Sequence, residues 1–372
     1  MAVSVSGRHG LWLLPLALLA GEAAHADQWA HSISAPTSID YDTNLPLTTR
    51  NKRSVTRAIF VPTYNLIGTF GADEYKLGLG ARIERSSDKR VSNDREDPNL
   101  SMGWRRATER GEVGLNYRFD QVSSRAAELE ETGARSGDGT RTMHALGGNW
   151  RHALSDRNTL TTGLNYQDVS FKDSSSTDYT NTGLSLTYGH QWSERIEPFA
   201  TASASHYEPK SGLTSSSDNY TLQGGVNVKA SENLSYTVQA GMSRVDGRET
   251  DTGWLGSLVM RYAGPRYDYS VEGGRAVTAS GEGGFVQNDY LRAAWSYAFS
   301  ERTRIGLDAS WRDSKGTQPN IYTQAGAWAS YELSHFWSAR AYATYKERRQ
   351  DGLPAASGNV VGITLIYSHP DF

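Results

Sequence analysis

A period of two runs through almost the whole chain. Val113, Leu115, Tyr117 and Phe119 alternate with Glu112, Gly114, Asn116, Arg118 and Asp120. Leu77, Leu79, Ala81 and Ile83 alternate with Lys76, Gly78, Gly80, Arg82 and Glu84. Ile305, Leu307 and Trp311 alternate with Arg304, Asp308 and Arg312. Successive strand side chains point to opposite faces, so each segment has one apolar face and one polar or charged face. A water-soluble antiparallel sandwich shows the same alternation. The connections separate the two readings. Short ones share a composition: Thr108-Glu109-Arg110, Ser155-Asp156-Arg157, Ser193-Glu194-Arg195, Ser231-Glu232-Asn233 and Ser300-Glu301-Arg302. Gly264-Pro265 and Ser334-His335 mark two more. Between them lie longer polar segments at 86–98, 123–140, 172–178, 208–218, 279–288, 313–320 and 346–358. Strict alternation of short and long connections is the asymmetry of an outer-membrane barrel, with short periplasmic turns and long outer loops. A sandwich has no reason to put every long loop at one end.

This pattern predicts an all-β fold, a single transmembrane antiparallel β-barrel of about eighteen strands, with sixteen to twenty open. The strands fall near 30–42, 55–69, 73–85, 98–107, 111–122, 141–153, 158–171, 178–192, 196–207, 218–229, 233–245, 252–263, 266–277, 287–299, 303–313, 321–333, 337–347 and 359–369. An even count puts both ends of the barrel on the periplasmic side. Composition agrees. Hydrophobic residues make up 37% of the 372, and mean hydropathy is -0.58. A soluble domain of this size carries more apolar residues. Disorder fits poorly with 20 Tyr and 10 Trp. A wide barrel with a polar lumen needs only every second strand residue to be apolar. There is no Cys, which excludes disulfides, lipidation at a cysteine and thiolate zinc sites. The formal net charge of -3 gives no footprint for a nucleic-acid partner.

The two ends carry sorting signals. Arg8 and His9 precede the apolar run from Leu11 to Ala20, and Ala24-His25-Ala26 follows as an A-x-A cleavage site. That is a secretory signal, too short to span a bilayer as a helix. It divides the chain into a signal peptide at 1–26 and a barrel at 27–372. At the other end Val361, Ile363, Leu365 and Tyr367 alternate and the chain closes on Phe372. This resembles the C-terminal signal of outer-membrane proteins, which implies the barrel-assembly machinery as a partner during biogenesis and outer-membrane lipid thereafter. Pro370 departs from that pattern by breaking the register. Trp192, Phe199, Tyr262, Tyr267, Phe299, Phe336 and Trp337 cluster beside the short turns and are expected to form an interfacial girdle.

Projecting the alternation inward gives the lumen candidates. They are Arg82, Glu84, Glu112, Arg118, Asp120, Lys229, Arg261, Asp268, Glu272, Arg292, Arg304, Asp308, Arg312, Arg340 and Lys346, with Trp328 and Tyr342 as inward aromatics able to stack on sugar rings. Sixteen to eighteen strands leave an aqueous channel, so these residues line a path for a hydrophilic solute, or brace the wall by pairing across strands. Asp40-Tyr41-Asp42-Thr43-Asn44 and the run from Ser92 to Asp97 lack the spacing of a calcium loop. Both are expected to be solvated loops. Glu128, Glu130 and Glu131 are expected on an outer loop in the same way. No metal and no cofactor is implied. Among the nine His, including His144, His152, His190, His206, His335 and His369, none sits in a catalytic motif. No enzyme is expected.

Pro36-Thr37-Ser38-Ile39-Asp40-Tyr41-Asp42-Thr43-Asn44, followed by Phe60-Val61-Pro62-Thr63-Tyr64, has a first strand ending in aromatic-Asp-x-Asn and a second with a central proline. It resembles outer-membrane β-barrel porin families found beside exopolysaccharide synthesis and export genes in Gram-negative bacteria. The resemblance implies an outer-membrane channel whose cargo is an exported polysaccharide, with periplasmic export components as partners. Two alternatives stand beside it: a general diffusion or uptake porin, and a non-conducting surface or assembly barrel. The porin alternative requires a constriction loop folded into the barrel, and 123–140 is the longest candidate.

Overall fold

The computed structural model describes residues 28–131, 137–172, 176–211, 215–248, 250–316 and 319–370. The signal-peptide residues, Ala24 and Ala26 among them, and Phe372 lie outside the described residues. Strands form wherever the alternation runs. They are β1 (Gln28–Asp42), β2 (Val55–Phe60), β3 (Thr63–Phe70), β4 (Asp73–Ser86), β5 (Arg95–Thr108), β6 (Gly111–Ser123), β7 (Thr140–Ala153), β8 (Asn158–Phe171), β9 (Tyr179–His190), β10 (Ile196–Pro209), β11 (Ser217–Lys229), β12 (Leu234–Asp246), β13 (Thr250–Ala263), β14 (Tyr267–Ser280), β15 (Gly284–Ala298), β16 (Thr303–Ser314), β17 (Asn320–Glu332), β18 (Trp337–Gln350) and β19 (Ala356–His369). One helix, α1 (Ser124–Glu131), interrupts the series. Each strand pairs antiparallel with the next, except β2 and β3, which both pair β1 on one side and β4 on the other, and β19 pairs with β1 from Ile33↔His369 to Asp42↔Val360. The sheet is closed.

Nineteen strands make an eighteen-stave barrel, because β2 and β3 are one stave. Both pair with β1, and the register runs through the gap unbroken: Thr37↔Phe60 on one side and Ser34↔Thr63 on the other. Val61 still donates to the Pro36 carbonyl at 3.0 Å, and Ala81 to the Pro62 carbonyl at 3.1 Å. The donors that Pro36 and Pro62 lack are missing, so the break is two absent hydrogen bonds, one on each side of the stave, and not a bulge.

The outward face is the apolar one. Leu222, Ile363, Met242, Leu164 and Leu307 are all exposed there, as are two tiers of aromatic residues. Trp192, Tyr267, Phe299, Phe336 and Trp337 stand by the short turns, and Tyr41, Tyr166, Tyr220, Trp254 and Tyr345 stand higher. Trp254 and Tyr262 bracket β13, a span that at ~3.3 Å per residue and ordinary tilt covers about the 25 Å apolar band of such barrels. Phe199 departs from the expected girdle. It shares the inward phase of Thr201 and Ser203 and lies against Gly225, whose Cβ would stand 2.5 Å from the ring. No helix among the described residues is long and apolar enough to cross a membrane.

The asymmetry between the two ends is real, but its form differs from strict alternation of loop length. The outer connections at 247–249 and 281–283 are as short as periplasmic ones. There the strands themselves rise past the apolar band. β5 likewise begins at Arg95 and not at residue 98, so the last four residues of the expected loop at 86–98 are stave.

The buried core sits inside the outer mouth and not at mid-barrel. One cluster joins Val169, Phe171, Tyr179 and Tyr207, with Met143, Ala279 and Phe285 packed on it. It seats the tip of the β14–β15 hairpin against the β8–β10 wall. Tyr207 donates its hydroxyl to the Ser280 carbonyl at 3.2 Å, and Thr177 donates to the Gly281 carbonyl at 2.7 Å. Gly283 and Gly284 make that turn at φ +102° and +140°, where a side chain would be strained. A second cluster joins Leu47, Tyr322 and Ala356, with Leu129 of α1 packed on it.

The two faces predict opposite responses to charge. Leu222→Lys, on the lipid face, should lower unfolding stability in urea from lipid vesicles by ~2–4 kcal/mol. Gln223→Lys, one residue along and facing water, should stay within about 0.5 kcal/mol. Equal losses at the two positions would rule out the membrane-facing assignment.

Candidate functional site: a lumen crossed by a helix

The connection after β6 turns inward. Ser123 caps α1 by accepting from the Ala126 N–H at 3.4 Å, and Ser124 closes the base of the loop by hydrogen bonds with Gly137 and Gly139, both 3.1 Å. α1 then reaches the far wall. Leu129 packs beside Leu47 and Tyr322, and Arg312 of β16 donates to the Glu131 carbonyl. β6 and β16 stand nearly opposite in the ring, so α1 crosses the lumen.

The acidic cluster therefore sits on a helix inside the barrel mouth, with Glu130 and Glu131 still exposed there. Glu128 is buried, Glu131 pairs with Arg141 of β7 at 2.7 Å, and Glu130 faces the cavity beneath the helix. Arg125 extends to the Val91 carbonyl at 2.8 Å and Asp138 at 3.6 Å, which ties the helix to the loop before β5.

Beneath α1 lies a cavity of about 920 Å³. Of the sequence-derived candidates, Arg82, Glu84, Arg261, Glu272, Arg292, Asp308, Arg312, Tyr342 and Lys346 line it. Toward the short-turn end, Arg304 pairs with Asp268 at 2.8 Å, and Trp328 lies under Arg340, whose guanidinium carbon is 4.3 Å from the ring centroid. On the β5–β6 wall, Glu112 meets Arg105 at 3.4 Å and Arg118 meets Asp120 at 3.0 Å. Lys229 stands exposed at the foot of β11.

The densest network joins three of those candidates, Arg82, Glu84 and Lys346, to residues that were not among them. Arg57 of β2 grips Asp40 of β1 through two bonds of 3.0 and 2.8 Å and reaches Glu84 of β4 at 3.5 Å. Arg82 and Ser92 add 2.9 and 3.1 Å contacts to Glu84. Lys346 of β18 reaches Asp42 at 2.5 Å across β19, where Gly358 has no side chain to obstruct it. Asn44 receives the Thr48 N–H at 3.1 Å and donates to the Thr48 and Ser357 carbonyls at 2.9 and 3.0 Å. Asp40, Asp42 and Asn44 are thus buried and partnered, while Tyr41 between them faces outward, so the run is stave and turn and no solvated loop. Arg95 and Asp97 form a second buried pair at 2.8 Å. The signal that finds them is the inward phase of Asp40, Asp42, Arg57 and Asp97, once the strands extend further than turn composition suggests. No group of three metal-ligating side chains occurs among the described residues.

The opposite arc is neutral above Glu197 and Lys229 at its foot. Thr187 meets Thr201 at 2.9 Å, Ser203 meets Thr221 at 2.6 Å, Thr237 donates to Asn227 at 2.8 Å and Ser243 to Asn219 at 2.7 Å. The first three are register partners and the fourth a diagonal pair, all on the inward face of β9 to β12.

The histidines offer one base–carboxylate pair, His206 and Asp218 at 2.8 Å. It faces outward, and no hydroxyl hydrogen-bonds that ring among the described residues, so the nucleophile of a catalytic triad has no geometric support.

Fold comparison fits this architecture. An OccAB4 structure from Acinetobacter baumannii matches with a TM-score of 0.51 at 8% identity, covering 92% of this chain and 98% of that one. OccK2 (OpdF) from Pseudomonas aeruginosa matches with a TM-score of 0.51 at 11% identity over the same shares, and its complex with glucuronate gives 0.50. The chain is an outer-membrane β-barrel. No protein-family model matches the sequence, and no curated protein does. At this identity the likeness concerns the fold alone.

The buried Lys346–Asp42 pair predicts an asymmetric double-mutant cycle. Lys346→Met strands a fully buried carboxylate and should cost ~3–5 kcal/mol in urea unfolding. Adding Asp42→Asn should recover most of it. A single-variant loss below about 1 kcal/mol would mean the pair holds nothing.

Proposed function

We propose that this barrel is a passive channel that admits small hydrophilic solutes through the outer membrane, with α1 as its constriction. The observation that carries the reading is the helix itself. It crosses a lumen that eighteen staves would otherwise leave wide, and beneath it lies a cavity walled largely by the charged side chains of β1, β2, β4 and β13–β18. Such a wall exchanges hydrogen bonds with a solute without trapping it, as multi-site conduction requires. Arg261 and Arg292 form no ion pair among the described residues and remain available to a passing anion. A neighbour of the same fold was solved with glucuronate, a solute of suitable size for this cavity.

Export of a polysaccharide, the cargo that the porin-family resemblance implies, fits less well. A polymer strand would have to displace α1, breaking the Leu129 packing and the Arg141–Glu131 pair, and pass the seated β14–β15 hairpin as well. A small solute needs neither movement.

Single-channel recording in planar bilayers tests the reading. The intact barrel should conduct steadily. Replacing residues 125–137 with Gly-Ser-Gly should raise conductance severalfold, and Leu129→Asp should raise it less and add flicker. Unchanged conductance in both variants would remove α1 as the constriction. No current from either form, with β structure verified by circular dichroism, would overturn the channel reading.

A further inference from the structure

Below the cavity the inward wall of β16 to β19 carries two aromatic side chains that are register partners, Trp328↔Tyr342. Each lies over a glycine on the neighbouring strand. A Cβ at Gly306 would stand 2.4 Å from the Trp328 indole, and one at Gly362 would stand 2.5 Å from the Tyr342 hydroxyl and 2.6 Å from its ring. The glycines let both rings lie flat against the wall. The guanidinium of Arg340 stacks on the indole at 4.3 Å, as cations do on an aromatic face. Asp308 lies over Gly326, where a Cβ would meet its carboxylate at 2.7 Å. Gly326 is two residues from Trp328 on the same face. Asp308 and Tyr342 line the cavity floor.

Neither Arg340 nor Asp308 forms an ion pair among the described residues, although most lumen charges nearby are paired. The patch thus presents a flat phenol ring, a flat guanidinium, a carboxylate acceptor and a phenolic hydroxyl within one strip of wall. We infer that this strip is a binding subsite for a pyranose ring. A pyranose has one apolar C–H face that lies on an aromatic plane and a rim of hydroxyls that both donate and accept. An anionic solute would find Asp308 repulsive, and a cationic one would meet Arg340, so a neutral ring with hydroxyls satisfies both groups at once. The proposal deepens the channel reading and rests on it for its biological sense, since Asp308 and Tyr342 line the cavity beneath α1.

Saturation-transfer NMR on the full barrel in detergent, with methyl glucoside as ligand and mannitol as open-chain control, tests the subsite without needing an open pore. The expected result is transfer to the glucoside ring protons and little to mannitol. Tyr342→Ala should weaken the glucoside by about three- to tenfold. Tyr342→Phe should retain most of the transfer and lose only the hydroxyl contribution. Asp308→Asn should weaken it while leaving the barrel's heat-modifiable mobility on gels unchanged, which separates a lost contact from a failed fold. Equal transfer to glucoside and mannitol, or glucoside transfer undiminished in both Tyr342→Ala and Asp308→Asn, would overturn the subsite. Bilayer recording then separates the two ideas. A barrel that binds glucoside but never conducts would end the channel reading and keep the subsite. A barrel that conducts without ring-selective binding would do the reverse.

Discussion

Every feature of this molecule depends on closing the backbone hydrogen bonds within lipid. An unpaired amide in hydrocarbon costs several kcal/mol, so the sheet has to meet itself. β1 does this by pairing β19 over ten residues. Closure then fixes the rest. Side chains must alternate between lipid and lumen, so the outward set becomes apolar and the inward set polar. A closed sheet of eighteen staves is also too wide for its side chains to fill. The chain must either leave the bore open or fold something into it. It folds in α1 and the tip of the β14–β15 hairpin, and the buried apolar clusters among the described residues are the places where those two elements land.

That ordering explains what the sequence makes legible. Period two is local and repeats eighteen times, so it survives errors at any one strand, and the inward or outward phase of a residue such as Arg292 or Leu307 follows from it directly. Pro62 is also readable in advance, because a stave tolerates one missing donor when its register is held on both sides. What the pattern does not carry is how high a strand rises. Turn-like composition at 86–98 conceals a stave that already starts at Arg95, because above the apolar band the outward positions turn polar and the alternation fades. Phe199 was misplaced for a related reason. Proximity to a turn locates a residue along the barrel axis, and only its phase says which face it occupies.

The contents of the lumen are harder still. Glu128, Glu130 and Glu131 read as a solvated acidic run, since nothing within eight residues shows that Arg141 and Arg312 wait on other staves. Asp40 and Asp42 are equally opaque. Their partners, Arg57 and Lys346, lie 17 and 304 positions away in the chain. Long-range pairings of single charges leave no periodic trace. The geometry of closure brings them together, and one sequence does not reveal them.

Those charges cluster at the seam. β18, β19, β1, β2 and β4 are the staves where the last strand to emerge meets the first, and there the barrel is fastened from inside as well as through its backbone. Lys346 passes over Gly358 to reach Asp42, Asn44 reaches back to Ser357, and Arg57 bridges Asp40 and Glu84. Glycines on β19 make this reach possible: a larger side chain at 358 would press on Asn44, whose Cβ lies 3.1 Å from where a new Cβ would stand. A seam held only by backbone bonds could slip its register by two residues and keep every side chain on its proper face. The ion pairs and Asn44 cannot survive that slip, since each depends on one register. Their role at this place is therefore specificity of closure, and the polar wall that results is the same surface that lines the cavity beneath α1.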